Sequence, residues 1–191
     1  MKIEFTKSNI LVIASLLAVL VIGTYFTASI LNNEGSLPPN IFVCAEQKVP
    51  FRANITDCNA FPVSPNIEAL DGTIANPTAE KVAILFDPNT SGKVGLAAFD
   101  IYKVYKSLEP QTNIVPGIAY LYHWPEQPLI PNLTIDSATF QSPVILLRVN
   151  QSENKILVDG AKVYVNAKST DDLDAAACRI GIELIQKTVA C

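Results

Sequence analysis

The sequence predicts an α/β fold, a mixed β-sheet flanked by helices, preceded by a single N-terminal transmembrane helix. Three stretches carry that reading. Val82-Ala83-Ile84-Leu85-Phe86 is an unbroken apolar run of the kind that fills the centre of a sheet covered on both faces. Pro143 opens a second apolar, β-branched run from Val144 to Val149; proline is tolerated at the first residue of a strand, where the amide hydrogen bond is not needed. Ser169-Thr170-Asp171-Asp172 then opens a helix in which Leu173, Ala177, Ile180 and Leu184 share one face.

The chain has 191 residues, of which 49% are hydrophobic and 17% charged, and the apolar excess sits at its start. Residues 1–9 carry Lys2 and Lys7, and no charged side chain occurs from Ile10 to Leu31. About 20 apolar residues rising about 1.5 Å each span the hydrocarbon core of a bilayer. The basic residues on the entry side keep the N-terminus cytoplasmic and send the rest outward. The expected product is a single-pass protein of the cell membrane with an extracytoplasmic C-terminal domain. Two other readings of the same stretch are a cleaved secretory signal, with Thr27-Ala28-Ser29 as its small-residue site, and a pilin-type leader processed near Lys7-Ser8.

Export agrees with the cysteines and with the sequons. The four cysteines, Cys44, Cys58, Cys178 and Cys191, form no Cys-x-x-Cys and no His/Cys cluster, so bridges are expected and a metal is not. Pairing Cys44 with Cys58 and Cys178 with Cys191 is the favoured arrangement among three. It requires the chain to leave its last helix near Ile185 to Thr188, because thirteen helical residues separate their ends by about 20 Å. Each bridge stabilises by about 2–4 kcal/mol. Glycosylation sequons stand at Asn54, Asn89, Asn132 and Asn150.

Residues 32–80, rich in Pro and Asn, predict an extracytoplasmic stalk pinned by a disulfide loop, with Ile41-Phe42-Val43 adding a short edge strand. From 81 to 191 the elements follow in order. After the strand 82–86 comes the turn-rich Asp87–Gly92, then a helix over 93–108 with Val94, Ala98, Ile101, Tyr105 and Leu108 at helical spacing. A strand over 118–124 is led in by Pro116-Gly117, and the prolines of 125–131 dictate a loop. Thr134 to Phe140 makes at most a short helix. Lys155 to Val165 carries a β run broken or bulged at Asp159-Gly160. The last helix covers 170–186.

That order resembles the thioredoxin fold over about residues 80–186. The resemblance is carried by Ser142-Pro143, where thioredoxins have their cis-proline, and by Val165 to Leu173 between last strand and last helix. It implies a partner or peptide face around Pro143 and the 87–92 loop, with Asn89, Thr90 and Ser91 as binding residues. The departure is chemical. Where the family has Cys-x-x-Cys, this chain reads Asp87-Pro88-Asn89-Thr90-Ser91-Gly92, and dithiol exchange needs two sulfurs.

Other constellations are sparse. Tyr120, Tyr122 and Trp124 alternate on one face of a strand, as packing under the stalk or, together, as a ligand or partner platform with Trp124 as a binding residue. His123 reads as a rim residue, and Asp171, Asp172 and Asp174 read as helix-capping acids rather than metal ligands. There is no phosphate loop, and a net charge of −4 without basic runs excludes nucleic acid. No cofactor is implied. The functional expectation is a membrane-anchored binding or assembly module without dithiol redox activity. Its alternatives are a thiol–disulfide oxidoreductase using a remote cysteine and a pilin-like or envelope structural subunit.

Overall fold

The computed structural model describes residues 38–191 except 46, 88, 89, 91, 121–132 and 190. The expected membrane-spanning segment, residues 10–31, lies outside the described residues; among the described ones no helix is long and apolar enough to cross a membrane. Two short strands, β1 (Ile41–Cys44) and β2 (Gln47–Pro50), form an antiparallel hairpin. Then come α1 (Ile55–Ala60), β3 (Val63–Ser64), α2 (Ile67–Ile74), β4 (Lys81–Phe86), α3 (Gly92–Thr112) and β5 (Val115–Tyr120). A 3-10 turn at Ile135–Ser137 leads to β6 (Val144–Arg148), β7 (Lys155–Asp159), β8 (Lys162–Asn166) and α4 (Thr170–Thr188).

The main sheet has six strands in the order β3-β7-β8-β6-β4-β5, and only β7 runs against its neighbour β8. It is mixed, as its sequence predicts. Alternation along β4 explains the unbroken apolar run, since both faces are covered. Val82, Ile84 and Phe86 belong to the large core shared with the helices, whereas Ala83 and Leu85 join Val144, Leu146 and Ala119 in a smaller cluster capped by Leu133, Ile135 and Ala138. β5 begins at Val115, so Pro116 and Gly117 lie inside it; it pairs only with β4, and an edge strand tolerates a proline. At Asp159-Gly160 the chain does not bulge but reverses fully, with Gly160 at φ +59° in the tight turn between β7 and β8.

The largest correction concerns residues 39–80. They are not a stalk: Pro39–Cys191 form one compact unit, and Cys44, Phe51, Cys58, Phe61, Leu70 and Ile74 are core residues. β3 adds a strand parallel to β7, and Ile156 donates its amide to Pro62 O at 2.8 Å. α1 packs on α4, α2 packs on α4 and on strands β3, β7 and β8, and α4 itself lies against α3 and β8. That is why α4 buries nearly every residue from Leu173 to Ile185 and not the single stripe its periodicity suggests. Only Asp174 and Arg179 in that span are partly exposed, and both are ion-paired.

The disulfides follow from this layering. Cys58 pairs with Cys178 and Cys44 with Cys191, at Cα separations of 5.5 and 5.0 Å, in place of the sequence-local pairs. α4 continues without a break to Thr188, so Cys178 sits about 15 Å of helix away from that end and cannot meet Cys191. In the chain-entropy treatment, closing loops of 147 and 120 residues is worth up to about 5 kcal/mol apiece, against about 3 for a loop as short as 44–58. α3 also runs further than the expected Leu108, through Pro110, and stops where Asn113 takes φ +57° and donates to Glu109 O.

The α4 backbone is closely approached at Gly181, where a Cβ would come within 2.7 Å of the Phe51 ring and 3.2 Å of Val104. Gly181→Ala should therefore lower stability by about 1–3 kcal/mol, despite alanine's better helix propensity. Gly72→Ala, on a helix position with nothing within 4 Å, should raise it by up to about 1 kcal/mol. Urea midpoints at constant slope check both signs.

Candidate functional site

In open α/β sheets the natural crevice lies beyond the carboxyl ends of the strands, where successive connections part to opposite sides. Here β4 connects through α3 to β5 on one side, and the chain then returns to β6 on the other side of β4. The parting point is therefore at Phe86-Asp87 and Arg148-Val149. The first turns of α3 and α4 end at the same edge, because both helices follow parallel strands, β4 and β8.

The side chains at this edge are held by one another. Thr90 folds its loop back, its amide and hydroxyl donating to Asp87 O at 3.1 and 2.5 Å. Lys93 of α3 reaches Asp171 of α4 at 3.5 Å, an exposed pair of small energetic weight. Arg148 donates from Nε to Asn166 Oδ1 at 2.9 Å and lays its guanidinium 4.9 Å from the Tyr164 ring centre. Asn154 braces the start of α4: its Nδ2 donates to Asp172 Oδ1 at 2.8 Å and its Oδ1 accepts from the Lys168 amide at 2.8 Å. Ser169 and Asp172 complete a capping box. The Ser169 hydroxyl bonded to Asp172 holds that carboxyl below the ordinary aspartate range.

The expected binding face is not assembled. Val144 is level with Ala83 across the β4–β6 pair, so Pro143 is level with Val82 and accepts the Ala83 amide at 3.0 Å. Asp87 lies five residues further along β4, about 16 Å away at about 3.3 Å per residue. Because β4 and β6 run parallel, Pro143 and the 87–92 loop occupy opposite ends of the sheet. Pro143 is buried, and the cis proline among the described residues is Pro65, after Ser64. Thr90 alone of the expected contact residues is both described and at the carboxyl edge. Asn89, Ser91 and Trp124 lie outside the described residues, as do His123 and the sequon residue Asn132. Of the sequons, Asn54 is exposed as the N-cap of α1, accepting the Thr56 amide at 2.9 Å, and Asn150 is exposed in a left-handed turn at φ +61°.

The acids at the start of α4 divide their work between capping and ion pairing. Asp172 caps, Asp171 meets Lys93, and Asp174 accepts from Arg52 at 2.7 Å. Among the described residues no cluster of His, Cys, Asp or Glu is arranged to hold a metal ion. Arg52 was invisible as a structural residue in the sequence: it is a lone cation between two turns. In the fold it bridges Asp174 on α4 and Asp100 on α3, each at 2.7 Å, and Lys103 joins Asp100 at 2.9 Å. Beside it runs an open groove of about 240 Å³ lined mainly by Val49, Phe51, Lys103 and Val104. Burial raises the Asp174 carboxyl above its ordinary value in spite of Arg52.

Ser169→Ala removes the cap and should cost about 1 kcal/mol at neutral pH. Because the Asp172 carboxyl is held low in the folded state, its contribution is present above the ordinary aspartate pKa and fades as pH falls through the folded value. The gap between parent and Ser169→Ala should therefore narrow on acidification, read from thermal midpoints across pH 7 to pH 3.

No protein-family model, no curated protein and no solved structure matches this chain.

Proposed function

We propose that the chain is a membrane-anchored, extracytoplasmic binding or assembly module without dithiol redox activity, its partner a protein or peptide outside the cell. The observation that carries this reading is that all four cysteines are engaged in two bridges and none is free. A cytoplasmic thiol pool would reduce such bridges, and their use to hold layers together suits an exported domain. In the bridged state no cysteine is free to act as the nucleophile that the remote-cysteine oxidoreductase needs. The uncharged stretch from Ile10 to Leu31, with Lys2 and Lys7 before it, supports the anchor and its orientation. The accessible Asn54 and Asn150 support glycosylation at those two sequons.

The thioredoxin-like resemblance enters this proposal as an order of elements, β4-α3-β5-β6-β7-β8-α4, and not as a peptide face centred on Pro143. The partner surface assigned here is the carboxyl edge of β4 and β6, where Lys93 on α3 and Arg148 on β6 present polar groups beside Thr90 of the intervening loop.

The test is a thiol count on the full chain by alkylation and mass spectrometry, together with fractionation of cells expressing it. No alkylation before reduction, four after it, and recovery with the membranes after high-salt washing are expected. A free thiol in the native chain, or disulfide exchange with a model substrate, would return the oxidoreductase reading. The bridges should also separate on mild reduction: Cys191 is exposed whereas Cys58 and Cys178 are fully buried, so Cys44–Cys191 opens first.

A further inference from the structure

Asp71 on α2 and Glu183 on α4 are buried carboxyl groups, only 7% and 6% exposed. Their cations come from α4 itself, one turn to either side of Glu183. Arg179 Nη2 lies 2.8 Å from Glu183 Oε1, and Lys187 Nζ lies 3.0 Å from Asp71 Oδ2. Arg179, Glu183 and Lys187 follow at intervals of four and so form one stripe, into which α2 inserts Asp71. Lys187 serves only one of the two Asp71 oxygens. The other, Oδ1, is buried and accepts from no donor, and the Glu183 carboxyl is close enough to feel the Asp71 charge. Two carboxylates cannot bond to each other, because both only accept; a carboxylic acid and a carboxylate can. A buried acceptor without a donor is the costly arrangement, and one proton removes it.

We propose that Glu183 and Asp71 form an acid–carboxylate pair in which the Glu183 oxygen not engaged by Arg179 carries a proton and donates to Asp71 Oδ1, clasping α2 to α4 more tightly as pH falls. The electrostatics agree with the geometry. Burial raises the Glu183 carboxyl above its ordinary value, the Asp71 charge raises it further, and Arg179 and Lys187 act in the opposite sense. Glu68 on α2 adds negative charge beyond Lys187, and α1 offers Arg179 only the neutral carbonyl and amide oxygens of Asn59. For a carboxyl held high in the folded state, the contribution to stability is complete below the ordinary glutamate value of 4.5 and is lost as pH rises through the folded value. The clasp is thus a proton-tightened contact between the segment before β4 and the last helix. Thr73, two residues after Asp71, extends it to the β7–β8 turn through a 2.9 Å bond to Gly160 O.

The test uses the full chain and reads Glu183 by its side-chain carboxyl carbon resonance, and α2 by hydrogen exchange of amides 67–74 corrected for intrinsic rates. The Glu183 midpoint is expected above 4.5, and α2 protection is expected to fall as pH rises through that midpoint. Each unit of elevation corresponds to about a tenfold loss of protection. Glu183→Gln supplies a donor at every pH, so its α2 protection should be flat across the same range and exceed the parent's at pH 7. Asp71→Asn removes the neighbouring charge and should bring the Glu183 midpoint down. A Glu183 midpoint at or below 4.5 in the parent, or a Glu183→Gln chain with the parent's pH dependence, would overturn the proposal.

Discussion

The fold depends on one constraint: α4 is apolar on more sides than a sheet alone can cover. Leu173, Ala176, Ala177, Ile180, Leu184 and their neighbours between them circle the helix, and a helix apolar all round must be covered all round. The sheet supplies the inner cover. The rest of the cover has to be brought by other parts of the chain, and α3 and residues 39–80 are those parts. Phe51 against Gly181, α1 through Cys58 and α2 through Leu70 and Ile74 are each a consequence of that requirement. The small residues of α4, alanine and glycine, admit the second layer at close range.

This arrangement also accounts for where polar groups had to be placed. A helix with two covered sides has little room for charge, so its ionic side chains are confined to the seams between layers. Arg52 closes one seam by joining α3 to α4, and the Arg179-Glu183-Lys187 stripe lies along another. Side chains in such places hold layers in register and sit in a lower dielectric than ordinary surface pairs, which is why burial dominates the carboxyl shifts at Asp174 and Glu183.

Much of the central sheet was legible because it is dictated locally. The run Val82–Phe86, the strand after Pro143, the capping residues at Ser169 and the length of α4 are all written in spacing and residue type. Strand direction is not local. Nothing in Pro143–Val149 says whether it runs with or against β4, and that one bit decides whether Pro143 meets the 87–92 loop or lies at the far end of the sheet. The same limit explains the cysteines. Proximity in sequence favoured two small loops, whereas the pairing is set by which surface of α4 the segment 39–60 covers. Proline and asparagine in 38–80 signal turns between elements, but turns joining short packed elements have the same composition as turns in an extended tether.

The bridge between Cys44 and Cys191 joins the sixth residue of the Pro39–Cys191 unit to its last. A pull applied between those two ends loads only Pro39 to Cys44 and one covalent bond. Everything between Ala45 and Ala190 lies in a closed loop off the line of tension. Strands β3 to β8 and the helices on them therefore carry no load along the chain while that bond is intact. For a domain held at one end and gripped at the other, tensile strength resides in sulfur chemistry and not in the sheet's hydrogen bonds.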